Sequence, residues 1–258
     1  MDLTLIINFF THYWYLFVLF FFIATLYSSV GFGGGSGYLA VLALTNSTFL
    51  EIRATSLLCN IMVVLGSVFI FSKSYKYNWK KLVPLIIFSV PLAFVGGYLK
   101  INERVFSILL ALILLLASIF MWISHKKISK SYQKEISFSK NALFGGSIGF
   151  ISGIVGIGGG VFLAPLLYLI NWDIPRKITA TTSFFILVNS ISGLTGQFSN
   201  PDFKIQWEFT LLFLVTVLLG SITGNQLSYK LLNPITLKKG TAILIAFVGL
   251  KILWKSLF

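Results

Sequence analysis

Val30-Gly31-Phe32-Gly33-Gly34-Gly35 and Val155-Gly156-Ile157-Gly158-Gly159-Gly160 are one figure written twice, at an offset of 125 residues. Each glycine inside a helix costs about 1 kcal/mol relative to alanine. Three in succession therefore predict a break rather than a continuous helix. Apolar sequence flanks both clusters. The pairing continues beyond them. Thr55-Ser56 and Thr182-Ser183 are related at an offset of 127, and each serine is followed ten residues later by glycine, Gly66 and Gly193. Gly97 and Gly224 keep the same offset. One cluster alone would read as helix packing, where glycine lets backbones approach. Two clusters in matching places of a duplicated unit point to a transporter whose site lies between repeats.

The surrounding composition sets the medium. The 258 residues are 57% hydrophobic and only 10% charged, against about 25% charged in a soluble domain. A water-soluble enzyme and a disordered chain are both excluded. Cys59 is the one cysteine, and His12 and His125 are the two histidines. Neither a disulfide framework, a zinc site nor a histidine metal site is expected, and no cofactor. A membrane helix needs roughly 20 apolar residues. Runs of about that length occur at Phe9–Val30, Ile52–Phe71, Leu82–Leu99, Val105–Ile123, Ile178–Phe198 and Phe209–Tyr229, with shorter runs at Ala142–Val155 and Thr241–Trp254 that read as spans too. Short apolar stretches, Tyr38–Leu44 and Val161–Ile170, follow the glycine clusters. The first run lacks a basic segment before it and is too long for a signal peptide, so it reads as a span. The expected fold is an all-α polytopic membrane protein. Residues 1–123 form one repeat and 141–258 a second, joined by a basic cytoplasmic linker over 124–140.

Charge placement orients the chain. Twenty Lys and Arg stand against seven Asp and Glu. In a soluble protein this would suggest nucleic acid; here the bases fall between apolar runs, where they face anionic lipid. With five segments per half, the second half is inverted. The gaps 72–81, 124–140, 171–177 and 230–239 then share one side and hold 14 of the 20 bases. In a parallel arrangement the richer side holds 12. The rule that basic loops stay inside therefore favours two inverted-topology repeats, with both termini extracytoplasmic.

The breaks carry the chemistry. Backbone at membrane depth is tolerated where it is buried or lines a cavity. A helix restarting there presents unpaired N–H groups and partial positive charge, which suits an anion. No Asp, Glu, Lys, Arg or His lies in a span centre, which disfavours a cation carrier or a carboxylate proton relay. A nucleotide loop is rejected because Ser36 stands where the third glycine of G-x-G-x-x-G should be, and no strand precedes it. The candidate site comprises Gly33, Gly34, Gly35 and Ser36 of the first cluster with Gly158, Gly159 and Gly160 of the second. Ser56, Asn60, Thr182, Ser183 and Asn189 join them from the following helices. Thr55, Thr179, Thr181 and Gln197 lie on the same helices. For any one of these, an interhelical hydrogen bond is the competing reading. Arg53, Arg176 and Lys177 would form electropositive vestibules.

The duplicated Val-Gly-x-Gly-Gly-Gly clusters, the Thr-Ser pairs and the further apolar runs resemble the sulfite exporter TauE/SafE family, over about residues 10 to 255. The resemblance implies a bacterial inner-membrane permease for sulfur oxyanions or organosulfonates such as sulfite or sulfoacetate. Val161-Phe162, where the first repeat has Ser36-Gly37, departs from the family's pattern and makes the half-sites unequal. The expected function is a secondary carrier of a small anion. No ATP-binding motif is present, so a gradient or a partner drives it. An anion channel and a non-transporting subunit that assists assembly are the alternatives; an intramembrane enzyme is disfavoured. The expected partners are a small anionic solute and the lipid bilayer, not nucleic acid, with a homo-oligomer left open.

Overall fold

The computed structural model describes residues 3–29, 31–43, 45, 47–74, 77–123, 137–170, 172–201, 203, 205–227 and 234–257. Most of the basic linker expected at 124–140 lies outside them. The regular structure of the described residues is all α-helix: α1 (Leu3–Ser29), α2 (Gly35–Leu42), α3 (Phe49–Ser74), α4 (Trp79–Tyr98), α5 (Glu103–Ile123), α6 (Phe138–Val155), α7 (Gly160–Leu169), α8 (Pro175–Phe198), α9 (Trp207–Leu227) and α10 (Pro234–Leu257). Five of these, α3, α4, α5, α8 and α9, contain stretches long and apolar enough to cross a bilayer. Large apolar side chains face outward, among them Phe69, Leu143 and Phe247 at 60%, 67% and 66% exposure. Water would penalise that surface and lipid does not. This is a multi-pass membrane protein.

α2 and α7 are different. With 8 and 10 residues, they rise about 12 and 15 Å at 1.5 Å per residue. The hydrocarbon core is roughly 30 Å thick, so neither crosses it. The local sequence explains where they begin. Gly34 and Gly159, the residues before them, hold left-handed backbone at φ 86° and 83°. That conformation is strained for residues with a Cβ. It turns the chain sharply out of α1 and α6.

Small residues set the helix packing. Gly145, Gly149 and Gly153 form a stripe on α6. A Cβ at each would overlap the backbone of Leu85, Ser89 and Ala93 on α4. The residue numbers rise together, so α4 and α6 run parallel. α8 joins the same sense, since Asn189 Nδ2 donates to Ser89 Oγ (3.0 Å) and Asn200 Nδ2 to the Tyr98 carbonyl (3.3 Å). On the other side, Gly220 and Gly224 of α9 press on the Phe21 and Thr25 carbonyls of α1. α3 runs parallel to α9, meeting it at Thr55–Thr210 (3.2 Å) and Ser67–Asn225 (3.4 Å). The two sets oppose each other across α3 and α8. Gly193 lies against Leu57, whereas Thr179 and Phe71 meet at Gly31, so their numbering runs in opposite directions. Corresponding helices of the two halves therefore point in opposite senses: α1 against α6, α3 against α8, α4 against α9. α4 also packs on the other half's α6 and α8, and α9 on the other half's α1 and α3, so the halves interlock.

Aromatic stacking fills the core where α2 returns beside α1. Phe20 stacks on Tyr38 and Phe213 with ring centroids 4.9 and 4.4 Å apart. At the opposite end, Lys81 Nζ donates to the carbonyl of buried Trp172 (2.8 Å) and ties the start of α4 to the turn before α8.

Candidate functional site: two helix N-termini meeting at the centre

The glycine clusters do what three successive glycines predict. α1 ends at Ser29 and α2 restarts at Gly35; α6 ends at Val155 and α7 restarts at Gly160. The first bonds of α2 run from Gly37 and Tyr38 N–H to the Gly34 carbonyl (2.9 and 3.0 Å). Those of α7 run from Phe162 and Leu163 N–H to the Gly159 carbonyl (3.2 and 3.0 Å). The N–H groups of Gly35 and Ser36, and of Gly160 and Val161, precede these bonds and have no helical partner. Neither N-terminus has a side-chain cap. Gly33 to Ser36 and Gly158 to Val161 are all buried. A buried, uncapped helix N-terminus holds about half a positive charge and unsatisfied donors. This chain has two.

Asn60, from the middle of α3, brings them together. Its Nδ2 donates to the Ile157 carbonyl of the second break at 2.7 Å. The same amide lies so close over Gly33 and Gly35 that a Cβ on either would overlap it. A Cβ on Gly158 would lie 2.9 Å from Asn60 Nδ2 and 2.5 Å from Ser190 Oγ. One residue of α3 thus touches both breaks, and α8 completes the enclosure through Ser190. Asn60 Oδ1, Ser190 Oγ and Thr182 Oγ1 are buried without a hydrogen-bond partner. From this centre α2 leads toward the N-terminal end of α3, and α7 toward its C-terminal end.

The remaining expected residues divide by what they touch. Ser56 Oγ donates to the Gly35 carbonyl (3.0 Å) and Ser183 Oγ to the Gly31 carbonyl (2.6 Å). These repeat-related serines both hold the first break, so their hydroxyl protons are engaged with protein. Ser36 Oγ pairs with Tyr27 OH (3.0 Å). Thr182 lies beside Gly160. Asn189 Nδ2 donates to Ser89 Oγ and to the Phe185 carbonyl rather than to either break, and its Oδ1 is buried without a partner.

The expected vestibule bases separate. Arg176 is exposed at the start of α8, and Lys177 lies 3.9 Å from Asp173. Pro175 opens that helix, as its fixed φ favours. Arg53 faces no vestibule: it is fully buried, and its Nη2 donates to the carbonyls of Gly96, Gly97 and Gly153 (3.2, 3.2 and 2.9 Å). Sequence placed it near a helix end, where snorkelling is the default; the glycines of α4 and α6 remove the side chains that would have kept it out. Glu51 forms a capping box with Thr48, through Thr48 N–H to Oε2 (3.1 Å) and Glu51 N–H to Thr48 Oγ1 (3.4 Å).

A cavity of about 460 Å³ opens at the N-terminal end of α3. Thr45, Ser47, Thr48, Glu51 and Gln206 give it a polar wall, and Thr55 with Thr210 also line it. Thr55 and Thr210 are hydrogen-bonded to each other in its wall (3.2 Å), and Thr55 is the neighbour of Ser56, which holds the first break. Ser190, Tyr27 and Thr210 escaped the sequence reading. Ser190 was legible as one turn beyond Ile186 and two beyond Ser183 on the same face of α8.

Comparison with known proteins identifies the family. The profile of the sulfite exporter TauE/SafE family matches residues 16–252. The chain is 33% identical to a probable membrane transporter protein of Sinorhizobium fredii, y4hK, over 92% of this chain and 96% of that one. It is 25% identical to the probable membrane transporter protein YunE of Bacillus subtilis, over 91% and 94%. A third relative, the probable membrane transporter protein MJ0441 of Methanocaldococcus jannaschii, is 25% identical over 71% and 72%. No solved structure matches. By a profile match that covers nearly the whole chain, this multi-pass protein belongs to the sulfite exporter TauE/SafE family of membrane transporters.

Proposed function

We propose that the protein is a secondary carrier of a small anion, a sulfur oxyanion or organosulfonate such as sulfite or sulfoacetate, bound where its two glycine breaks meet. One observation carries the reading: two uncapped helix N-termini are buried at the same place and joined by Asn60. Both present N–H donors and positive partial charge. The central hydroxyls of Ser190 and Thr182 add donors without adding charge. A cation would meet the wrong field, and a neutral solute would leave the field unused. The family's name, sulfite exporter, supplies the substrate class.

The halves are inverted-topology repeats in this reading, supported by the opposite senses of their equivalent helices. The side holding the gaps 72–81 and 171–177 is cytoplasmic in a bacterial plasma membrane, because it carries the excess of bases. α2 and α7 lead from the shared centre toward opposite faces. Alternating access then requires only that one side open while the other stays packed.

Flux of ³⁵S-sulfite from proteoliposomes tests the proposal. A saturable efflux that follows an imposed gradient and is competed by other sulfur oxyanions is expected. Linear, unsaturable efflux would make the protein a channel. Absence of flux for sulfite, thiosulfate and sulfonates alike would contradict an anion carrier.

A further inference from the structure

We infer that Arg53 and Gln197 form a second anion station, beside the second glycine break and on the side of the cavity at the N-terminal end of α3. It rests on the anion-carrier reading above and names a charge that the central site lacks. Arg53 is fully buried, yet among the described residues no carboxylate lies within 4 Å of its guanidinium. Its three acceptors are peptide carbonyls, and all of them take protons from Nη2. Nε and Nη1, with three N–H bonds between them, have no acceptor. Glu51, two residues earlier, is engaged in the capping box.

Two helix C-termini explain how the charge is held at rest. Gly96 and Gly97 belong to the last turn of α4, and Gly153 to the last turn of α6. Each such terminus has partial negative charge. That accounts for one nitrogen of the guanidinium and leaves two unserved. A guanidinium stays protonated in proteins, so it cannot escape the cost of burial by losing its proton. Unserved donors on a buried permanent cation are what an incoming oxyanion satisfies best.

Gln197 supplies the second, independent observation. It is 1% exposed, and neither Nε2 nor Oε1 has a partner. α3 and α8 run in opposite senses and touch at Leu57 and Gly193. One turn back along α3 and one turn on along α8 brings Arg53 and Gln197 to the same level. Gly156, left-handed at φ 85°, packs on the Arg53 backbone, its Cβ position 3.0 Å from Arg53 Cα. The station therefore adjoins the break that leads to Asn60. Its position in the first repeat has no basic counterpart in the second, where Ala180 stands at the matching offset. The ligand class is a compact oxyanion of charge −1 or −2, taking N–H donors from guanidinium and amide together.

Equilibrium binding of ³⁵S-sulfite to the full-length protein in detergent tests the assignment, with thiosulfate and ethanesulfonate as competitors. Arg53→Gln is expected to weaken sulfite binding tenfold or more, Gln197→Leu severalfold, and Arg53→Lys to recover part of the loss. The defect should be equal at low and high sodium chloride, since a contact inside the protein is screened far less than a steering charge. Unliganded melting temperature is recorded alongside. A variant that melts lower but binds sulfite as wild type does would make Arg53 a structural tie and overturn the inference. If Arg53→Gln does not fold, Gln197→Leu and Arg53→Lys decide by the same criterion. Wild-type binding of none of the three anions would overturn the functional reading and this inference with it; wild-type binding with unaltered variants overturns this inference alone.

Discussion

Serine and threonine hydroxyls at the centre fall into two groups that sequence does not distinguish. Ser56 and Ser183 spend their protons on break carbonyls, while Ser190 and Thr182 have no partner. Removing an engaged hydroxyl leaves a buried carbonyl short of a donor, and a typical net loss is about 1 kcal/mol. Ser56→Ala and Ser183→Ala should each lower stability by about that amount, read as a shift of the denaturation midpoint. Ser190→Ala should leave the midpoint nearly unchanged and weaken anion binding instead. The Thr-Ser pairs were legible because they repeat. The role of the two serines as break-holders was not, because which carbonyl a hydroxyl reaches depends on how α3 and α8 cross. Arg53 shows the same limit. Its charge was plain in the sequence, but its burial depends on glycines at 96, 97 and 153, two of which lie on another helix and one in the other half.

Helices here associate through small residues, because lipid gives no hydrophobic drive for apolar side chains to leave it. The α4–α6 seam is the clearest case. A side chain at Gly149 would overlap Ser89, both carbonyl and Cβ. Overpacking a tight seam costs about 1–3 kcal/mol, so Gly149→Val should destabilise by that order. Leu143→Ala on the same helix should be close to neutral, since Leu143 faces lipid at 67% exposure. Thermal unfolding in detergent compares the two. At this scale the sequence was informative. All ten apolar segments expected from hydropathy appear as helices, and both breaks fall on the glycine clusters. What periodicity does not supply is partner choice: α4 packs on the other half's α6 and α8, and nothing along α4 itself names them.

At the scale of the whole molecule, orientation and charge decide what can cross. Cys59 is buried and is the one cysteine, so its replacement by serine gives a background for single-cysteine mapping. Lys80→Cys should react with a membrane-impermeant maleimide from the cytoplasmic side. Lys100→Cys should react from the outside, because the bases concentrate at the Lys80 end. Labelling of both from one side would refute the placement of α4 across the membrane. Inside, the proposed function turns on an anion held by two buried helix N-termini that meet on Asn60. Asn60→Asp places a fixed carboxylate between them and supplies the negative charge from within. Binding of ³⁵S-sulfite to wild type and to Asn60→Asp, each shown to be folded and monodisperse, tests this most directly. Wild type is expected to bind saturably, unaffected by replacing the accompanying cation, and the aspartate variant to bind at least tenfold more weakly. Undiminished sulfite binding by folded Asn60→Asp would contradict the proposed function.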